Sequence, residues 1–200
     1  MEDELKEAFS NHKLAESFPG NPLKIFTYPA PVLKVIAKPV TEFNEELKSL
    51  VIDMLHTMYN APGIGLAAPQ VGKSLRFFVS DIDFETKDTD PENDEAPLEY
   101  SNLNPKVFIN PKIKKSSGEI IYEEGCLSVP GVYEEVKRYE NITLEYQDLS
   151  GKTCEIEAEG LRSVCLQHEL DHLNGIVFIE KLNPMKKMLI TKKFLKKNKQ

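Results

Sequence analysis

The chain has 200 residues with a formal net charge of −7, and 40% of them are hydrophobic, which suits one domain with an ordinary core. No apolar run approaches the roughly 20 residues that a membrane-spanning helix needs, and the excess of acidic over basic groups, 32 against 25, argues against a protein that binds DNA. Three cysteines are too few for a disulfide framework and the acidic start differs from a secretory signal, so we expect a cytoplasmic protein with free thiols and no membrane partner.

The N-terminal part of the chain predicts an appendage followed by one firm helix. The first residues have a weak helical pattern that a Pro-Gly-Asn-Pro stretch breaks, so residues 1–20 are predicted to be an appendage and residues 21–200 a single domain. After Thr41, apolar side chains recur at helical spacing as far as Met58, and acidic residues suit the first turns. This spacing predicts a core helix that ends before the next Pro-Gly pair.

The middle of the chain combines strand patterns with one strongly acidic stretch. Residues 75–82 are apolar enough for a buried strand. Residues 142–146 and 154–158 alternate apolar with polar side chains on either side of a turn, which predicts a hairpin with one solvent-exposed face. Residues 81–100 carry nine acids and one lysine. We predict a solvated loop there, because so few apolar groups cannot offset the entropy of ordering it.

Two helices are predicted at the C-terminal end. Residues 161–173 have apolar side chains nearly all round and stop at an Asn-Gly pair, which is typical of a buried, central helix. A second helix is predicted over about residues 184–198, where the apolar residues of an amphipathic pattern are Leu182, Met185, Leu189 and Ile190. Residues 181–200 carry eight lysines and no acid. This tail is therefore either a solvated terminal helix or a docking surface for an anionic partner.

The predicted central helix contains the sequence His168-Glu169-Leu170-Asp171-His172. Two histidines four residues apart lie on one helical face with about 6 Å between them, close enough for both imidazoles to bind one ion. Glu169 lies about 100° round the helix, where its carboxylate can hydrogen-bond a water molecule near the ion without being a ligand. The motif therefore predicts a metal centre rather than two core histidines paired with backbone groups.

A catalytic site of this kind needs a third protein ligand and one open position. Glu180 is the only glutamate downstream of the motif, and it lies close to the motif for a third ligand of the metalloprotease type. Cys126 is the other candidate, because the glycine and proline around it favour a shaped loop over a packed strand. Cys154 falls on the apolar side of a strand, and Cys165 lies about 10 Å along the helix from His172, so neither competes. The sequence spacing therefore leaves both Glu180 and Cys126 as candidates for the third ligand.

Three motifs follow one another along the chain: Gly63-Ile64-Gly65-Leu66-Ala67-Ala68-Pro69-Gln70, then Glu124-Gly125-Cys126-Leu127-Ser128, then the histidine motif. On these motifs, and over about residues 23–190, the chain resembles the peptide deformylases, which remove the formyl group from the initiating methionine of nascent chains. The resemblance implies an α+β fold of mostly antiparallel sheets packed around a central metal-binding helix, with a C-terminal helix. It also implies that residues 21–200 are one catalytic domain.

The resemblance assigns roles to particular residues. The implied ligands of one divalent metal ion are Cys126, His168 and His172. Fe²⁺ is the usual ion in such enzymes, with Zn²⁺ or Ni²⁺ as alternatives. Glu169 is implied to be the general base and later the acid, while the side-chain amide of Gln70 and the backbone N–H of Leu127 hold the oxyanion. The implied substrate-binding residues are Gly65, Ile64, Glu124, Leu161, Val164 and Cys165.

Helical spacing adds to this picture of the substrate pocket. Leu161, Val164 and Cys165 precede His168 by seven, four and three residues, so they share its face and are expected to line an apolar pocket for methionine. The chain also departs from the family pattern. Tyr133 stands where many members carry an arginine near the substrate backbone, and the acidic loop at residues 83–101 is longer than in many bacterial members.

The basic tail and the histidine motif leave further functions to weigh. In relatives such a tail docks on the ribosome, so the resemblance implies the ribosome as a partner of the C-terminal helix, together with a formylmethionyl peptide as substrate. An ordinary metalloprotease is the first alternative and predicts Glu180 as the third ligand. A metal-binding or ribosome-associated module without catalysis is the second, and salt-sensitive ribosome binding without formate release would favour it.

Overall fold

A computed structural model describes residues 2–10, 12–14, 17–90, 93 and 98–197. Nine strands of these residues form the sheets. The strands are β1 (Gly65–Ala67), β2 (Phe77–Ser80), β3 (Glu85–Asp88), β4 (Leu98–Ser101), β5 (Lys106–Ser117), β6 (Ile120–Glu124), β7 (Glu134–Arg138), β8 (Asn141–Gln147) and β9 (Thr153–Glu159). Five of them form one antiparallel sheet in the order β1-β2-β5-β8-β9. β3 with β4, and β6 with β7, form two separate antiparallel hairpins.

Four helices of the described residues pack around these sheets. They are α1 (Glu2–Ser10), α2 (Glu45–Asn60), α3 (Gly160–Leu173) and α4 (Pro184–Lys197). α3 lies against β1, β2, β8 and β9 and buries most of its side chains from Ser163 onward. This arrangement confirms the predicted α+β fold of antiparallel sheets around a central helix, with a further helix near the C-terminus. In the part of the chain that the structure describes, no helix has the length and apolar character of a membrane span.

The start of α2 differs from the sequence prediction. The helix begins at Glu45 rather than directly after Thr41. Asn44 is the N-cap, and its side-chain oxygen accepts a hydrogen bond from the backbone N–H of Leu47 at 3.0 Å. Such a cap satisfies one of the free N–H groups of the first turn, so the capping side chain, rather than the apolar periodicity, fixes where the helix begins.

The prediction of a solvated loop over residues 81–100 is wrong at both ends of that stretch. β3 and β4 pair there as a hairpin, and the Tyr100 side chain in β4 is 3% exposed. Its ring centroid lies 5.4–5.6 Å from the centroids of Phe18, Tyr59 and Phe84. Burial of these aromatic rings stabilises a segment whose charge alone favours solvent. Most of the segment between the two strands lies outside the described residues.

The N-terminal segment takes part in the same aromatic cluster. Phe9 and Phe18 are buried against Tyr59, and the backbone carbonyl of Lys13 accepts a hydrogen bond from the N–H of Tyr100 at 2.6 Å. These contacts attach the described part of residues 1–20 to the main core. That this segment is an appendage separate from the catalytic domain stays a prediction.

The helix α4 buries only part of the apolar face that the sequence predicts. Ile190 and Phe194 are the buried residues, and the Phe194 ring packs edge-on against Tyr28 with a centroid distance of 6.1 Å. Met185 and Leu189, which the amphipathic pattern placed on the apolar face, are 70% and 59% exposed. The pattern located the helix, but the position of its tertiary partner decides which apolar residues are covered.

Candidate metal centre and active site

One helix and one loop bring three metal-binding side chains together. α3 carries His168 and His172 one turn apart, with their ring centroids separated by 5.0 Å. Cys126 lies in the loop after β6, and its Sγ is 3.2 Å from Nε2 of His172. The sulfur and one nitrogen of each ring all lie within 4.8 Å of one another. Three such atoms are close enough to bind one ion.

The other ligand candidates from the sequence lie away from this group. Glu180 belongs to a 3-10 turn (Phe178–Lys181), and its carboxylate pairs with Lys34. Cys154 is on β9, where its Sγ faces the carbonyl of Lys152 at 3.6 Å. Among the described residues, the side chains whose ligand atoms meet the spacing of a shared ion are Cys126 and the two histidines. The geometry therefore favours Cys126 over Glu180 as the third ligand.

The donor set fits a divalent ion that binds nitrogen and sulfur. A thiolate and two imidazoles suit several first-row metals, and three protein ligands leave one position open for a water molecule or substrate. Two buried atoms at this site, Oε2 of Glu169 and the second ring nitrogen, Nδ1, of His172, have no hydrogen-bond partner among the residues described. Buried polar atoms in native proteins are normally paired, so an unpaired carboxylate oxygen here is suited to contact with a water molecule near the ion.

A buried arginine organises the acidic groups around the histidines. Arg138, at the end of β7, forms two hydrogen bonds with Glu124 at 2.6 and 2.9 Å and a third with Asp171 at 2.5 Å. Oε2 of Glu124 in turn lies 2.8 Å from Nδ1 of His168. Burial raises the pKa of Glu124, but the hydrogen bonds from Arg138 and His168 outweigh it and lower the pKa to about 2. The ionised carboxylate of Glu124 therefore holds Nδ1 of His168, and Nε2 of that ring is directed toward Cys126 and His172.

Glu169 and His172 have pKa values that suit their places in the site. Burial, followed by the nearby Glu124 and Asp171 carboxylates, raises the pKa of Glu169 to about 7, although His168 and Arg138 oppose the shift. Burial and the charge of His168 lower the pKa of His172 well below its ordinary value. A carboxyl group with a pKa near neutrality can both take up and release a proton, and a neutral imidazole is the form that binds metal.

Gln70 is held in one orientation beside Cys126. Its side chain is buried, and its Oε1 accepts a hydrogen bond from the N–H of Ala67 at 2.8 Å. The amide nitrogen is thereby directed to Oγ of Ser128 at 3.1 Å and toward Sγ of Cys126 at 3.7 Å. Leu127 follows Cys126 in the chain and lines the same cavity. The loop and the 3-10 turn that contains Gln70 thus place an amide donor next to the candidate ligands.

These side chains meet at a cavity of about 610 Å³. Its wall includes all six residues that the sequence assigned to substrate binding: Gly65, Ile64, Glu124, Leu161, Val164 and Cys165. Val164 and Cys165 are buried, and burial raises the pKa of the Cys165 thiol to about 12, so this part of the wall is uncharged. Leu161 is 39% exposed and lies at the mouth of the cavity, in contrast to the expectation that the helix is buried all round.

Gly65 is needed at its position because Glu169 lies against it. A Cβ added at Gly65 would lie 2.5 Å from Oε1 of Glu169 and 2.9 Å from its Cδ and Cγ. Contacts of that length are not tolerated between real side chains and a buried carboxylate that has little room to move. The glycine therefore lets β1 run directly past Glu169, the acid that the family resemblance implies to be the general base.

Sequence reasoning missed two buried residues of the site. Arg138 lies ten residues after the cysteine motif, on β7, where it shares the buried face of the strand with Val136. The only sequence signal was this arginine at an inward position of a strand. Ser128 is fully buried and accepts from Gln70. It is the last residue of the cysteine motif, so its place in that motif was a usable signal.

Comparisons with known proteins agree on one family. The family model described as Polypeptide deformylase matches residues 22–188. A peptide deformylase of Chromobacterium violaceum is 47% identical over 178 residues, covering 89% of this chain and 97% of the relative. One of Mesorhizobium japonicum is 46% identical over 179 residues, covering 89% and 93%.

Solved structures point to the same family. The crystal structure of a peptide deformylase from Legionella pneumophila matches with a TM-score of 0.75 and 44% identity, covering 89% of this chain and 96% of that one. A peptide deformylase from Ehrlichia chaffeensis, solved in complex with actinonin, matches with a TM-score of 0.76 and 36% identity, covering 90% and 99%.

Proposed function

The chain belongs to the polypeptide deformylase family, and on that premise we propose which of its residues carry the reaction and where it acts. It is a metal-dependent hydrolase that removes the N-formyl group from the N-formylmethionine of nascent polypeptides and releases formate. The residue assignment is based on one observation. The ligand atoms of Cys126, His168 and His172 lie within 4.8 Å of one another, beside the buried Glu169.

We assign one divalent ion to Cys126, His168 and His172, and propose Fe²⁺ as the physiological ion with Zn²⁺ or Ni²⁺ as functional substitutes. The mixed sulfur and nitrogen donors suit all three metals, and the resemblance to iron-dependent relatives favours iron. When bound, the ion would polarise the formyl carbonyl and lower the pKa of a water molecule toward neutrality. Glu124 and Arg138 support this centre by fixing the orientation of the His168 ring.

Proton transfer is assigned to Glu169. Its pKa of about 7 lets it take a proton from the attacking water and return that proton to the leaving amine. The amide of Gln70 and the backbone N–H of Leu127 are proposed to donate hydrogen bonds to the oxyanion that develops on the formyl oxygen. Removing one such donor costs about 3 kcal/mol of transition-state stabilisation in other hydrolases.

The methionine side chain is proposed to bind among Ile64, Leu161, Val164 and Cys165. Burying a methionine side chain in an apolar pocket gains about 1.5–3 kcal/mol, and the uncharged Cys165 thiol keeps that wall apolar. The backbone of Gly65 is proposed to contact the peptide as a neighbouring strand does. The side chain of Glu124 is engaged by Arg138 and His168, so any contact with substrate has to come from its backbone.

We expect protein purified without oxygen to contain close to one iron per chain and to release formate from formyl-Met-Ala-Ser. Metal analysis and a formate assay on the same sample measure both. Zinc alone in that sample would contradict the proposed iron. Absence of formate with iron, nickel or zinc would overturn the residue assignment, and cleavage of unformylated peptides would support a metalloprotease instead.

We further propose that the chain works in the cytoplasm and docks on the ribosome through α4. Exposed lysines on this helix, including Lys192, Lys193 and Lys196, have no acidic neighbour in the sequence of residues 181–200. Met185 and Leu189 are exposed beside them. A basic surface with uncovered apolar side chains suits a partner that presents both phosphate and protein, as a ribosome does.

The logarithm of the binding constant for purified ribosomes is expected to fall linearly with the logarithm of the salt concentration, because lysine contacts with phosphate release counterions. The double variant Lys192→Glu and Lys193→Glu is expected to lower both the affinity and the salt slope in a sedimentation assay. A variant with Lys87→Glu and Lys152→Glu makes the same charge change at exposed positions outside α4 and serves as the control. Equal loss in both double variants would contradict docking through α4.

A further inference from the structure

The N-terminal segment packs on the last turn of α2. We call it the N-terminal arm, which comprises residues 2–10, 12–14, 17 and 18. The rings of Phe9 and Phe18 are buried, and their centroids lie 5.6 and 4.9 Å from the centroid of the Tyr59 ring. One turn earlier on α2, Nδ1 of His56 lies 3.0 Å from the backbone carbonyl oxygen of Phe18. The arm therefore covers Tyr59, which is fully buried.

The hydroxyl of Tyr59 is directed to a buried carboxylate. It donates a hydrogen bond to Oδ2 of Asp81 at 2.6 Å, and Asp81 is 2% exposed. The backbone N–H groups of Asn104 and Asp83 donate to the same carboxylate at 2.7 and 3.0 Å. Burial, followed by the charge of Asp81, raises the pKa of Tyr59, so its hydroxyl keeps the proton that it donates. Because hydrogen bonds to charged groups are among the stronger ones in proteins, this contact fixes the position of Asp81.

The backbone of Asp81 contacts a segment that forms part of the cavity wall. Its N–H donates a hydrogen bond to the carbonyl oxygen of Ile64 at 3.1 Å. The hydroxyl of Ser80 donates to the same oxygen at 2.9 Å. Ile64 and Gly65 both line the cavity, and Gly65 pairs with Ser80 across β1 and β2. Because the peptide group is planar, two donors on one carbonyl fix the direction of both Ile64 and Gly65 at the cavity.

These contacts connect the N-terminal arm with the methionine pocket. The arm covers Tyr59, the hydroxyl of Tyr59 binds Asp81, and the N–H of Asp81 binds Ile64. We propose that Tyr59 and Asp81 are positioning residues for substrate binding, and that the N-terminal arm works with them as part of the catalytic domain rather than as a separate appendage. A peptide that meets an ordered wall loses less free energy to ordering it. This inference rests on the proposed function, which assigns Ile64 to the pocket.

Tyr59→Phe is the first test, because it removes the hydroxyl and keeps the ring that packs on the arm. In the metal-loaded protein, KM for formyl-Met-Ala-Ser is expected to rise about 3- to 10-fold, which corresponds to the loss of one hydrogen bond. The kcat is expected to stay within about twofold of wild type, because the variant loses binding common to the ground state and the transition state. Amide hydrogen exchange, measured by mass spectrometry, is expected to be faster in the segment that contains the Asp81 N–H.

Two substitutions of Phe9 test the arm itself. Phe9→Leu removes the ring and keeps most of the side-chain volume, whereas Phe9→Ala leaves a cavity beside Tyr59. KM is expected to rise in the order wild type, Phe9→Leu, Phe9→Ala, without loss of metal. The leucine variant gives the answer even where the alanine variant does not fold. KM values equal to wild type in each folded variant would contradict the role of the arm.

Tyr28→Phe is the matched control. It removes a hydroxyl that lies 3.2 Å from the hydroxyl of Thr191 on α4, and Tyr28 is not among the residues that line the cavity. Both variants are expected to lose similar thermal stability, but only Tyr59→Phe is expected to raise KM and to speed exchange of the Asp81 N–H.

Unchanged KM or unchanged exchange in Tyr59→Phe would overturn the inference, as would an equal rise of KM in Tyr28→Phe. Formate release from formyl-Met-Ala-Ser by the wild-type protein reports on the proposed function separately. Its presence together with any of these outcomes contradicts only the positioning role, and its absence overturns both proposals.

Discussion

Replacing Glu169 with glutamine is expected to reduce formate release by about 10²- to 10⁴-fold, the usual contribution of a general acid-base group. The amide is close to the carboxylate in size, so the buried position beside Gly65 stays filled. It cannot accept a proton from water or return one to the leaving amine. The variant is expected to keep its metal, because Glu169 is not among the three candidate ligands.

Two measurements on the same preparation check this expectation. Formate release gives the loss of turnover, and metal analysis shows whether the ion is retained. Glu155→Gln makes the same chemical change at an exposed position on β9 and is expected to leave both unchanged. Turnover in the Glu169 variant within a few fold of wild type would remove Glu169 from the proposed mechanism.

Replacing Cys126 with alanine is expected to weaken metal binding strongly and to abolish activity. The change removes the sulfur from the ligand group and leaves two imidazoles. Loss of a supporting residue outside the ligand set costs about 10- to 100-fold in metal affinity, so loss of a ligand is expected to cost at least about 100-fold. Dialysis against a competing chelator, followed by metal analysis, measures the change.

Two other substitutions serve as controls for the cysteine. Cys154→Ala removes a thiol on β9, away from the cluster, and Glu180→Ala removes the carboxylate that pairs with Lys34. Both variants are expected to retain metal. Metal kept by the Cys126 variant but lost by the Glu180 variant would instead favour a metalloprotease site.

The metal-binding helix could be predicted because its signal is local. His168 and His172 are four residues apart, and helix geometry alone places them on one face. Cys126 lies more than 40 residues before them in the chain, and spacing alone did not exclude Glu180 as the third ligand. The loop geometry needed to choose between them depends on how β6 packs against α3, which no local pattern encodes.

Two errors in the sequence predictions share one physical cause. The acidic stretch at residues 81–100 was assigned to solvent on its charge, whereas Tyr100 packs into a cluster of aromatic rings. Periodicity assigned Met185 and Leu189 to the apolar face of α4, whereas they are exposed and Phe194, which the pattern did not include, packs against Tyr28. In both cases a distant aromatic partner decides what is buried. Arg138 was missed because its partners are also distant along the chain: the carboxylates of Glu124 on β6 and Asp171 on α3.

X-ray absorption spectroscopy of the protein loaded with one Zn²⁺ per chain examines the ligand set most directly. We expect one sulfur scatterer at about 2.3 Å and two imidazole nitrogens at about 2.0–2.1 Å, with a further light atom in the open position. The sulfur signal is expected to disappear in the Cys126→Ala variant reloaded at high zinc concentration. A wild-type spectrum with nitrogen and oxygen neighbours and no sulfur would contradict the proposed centre.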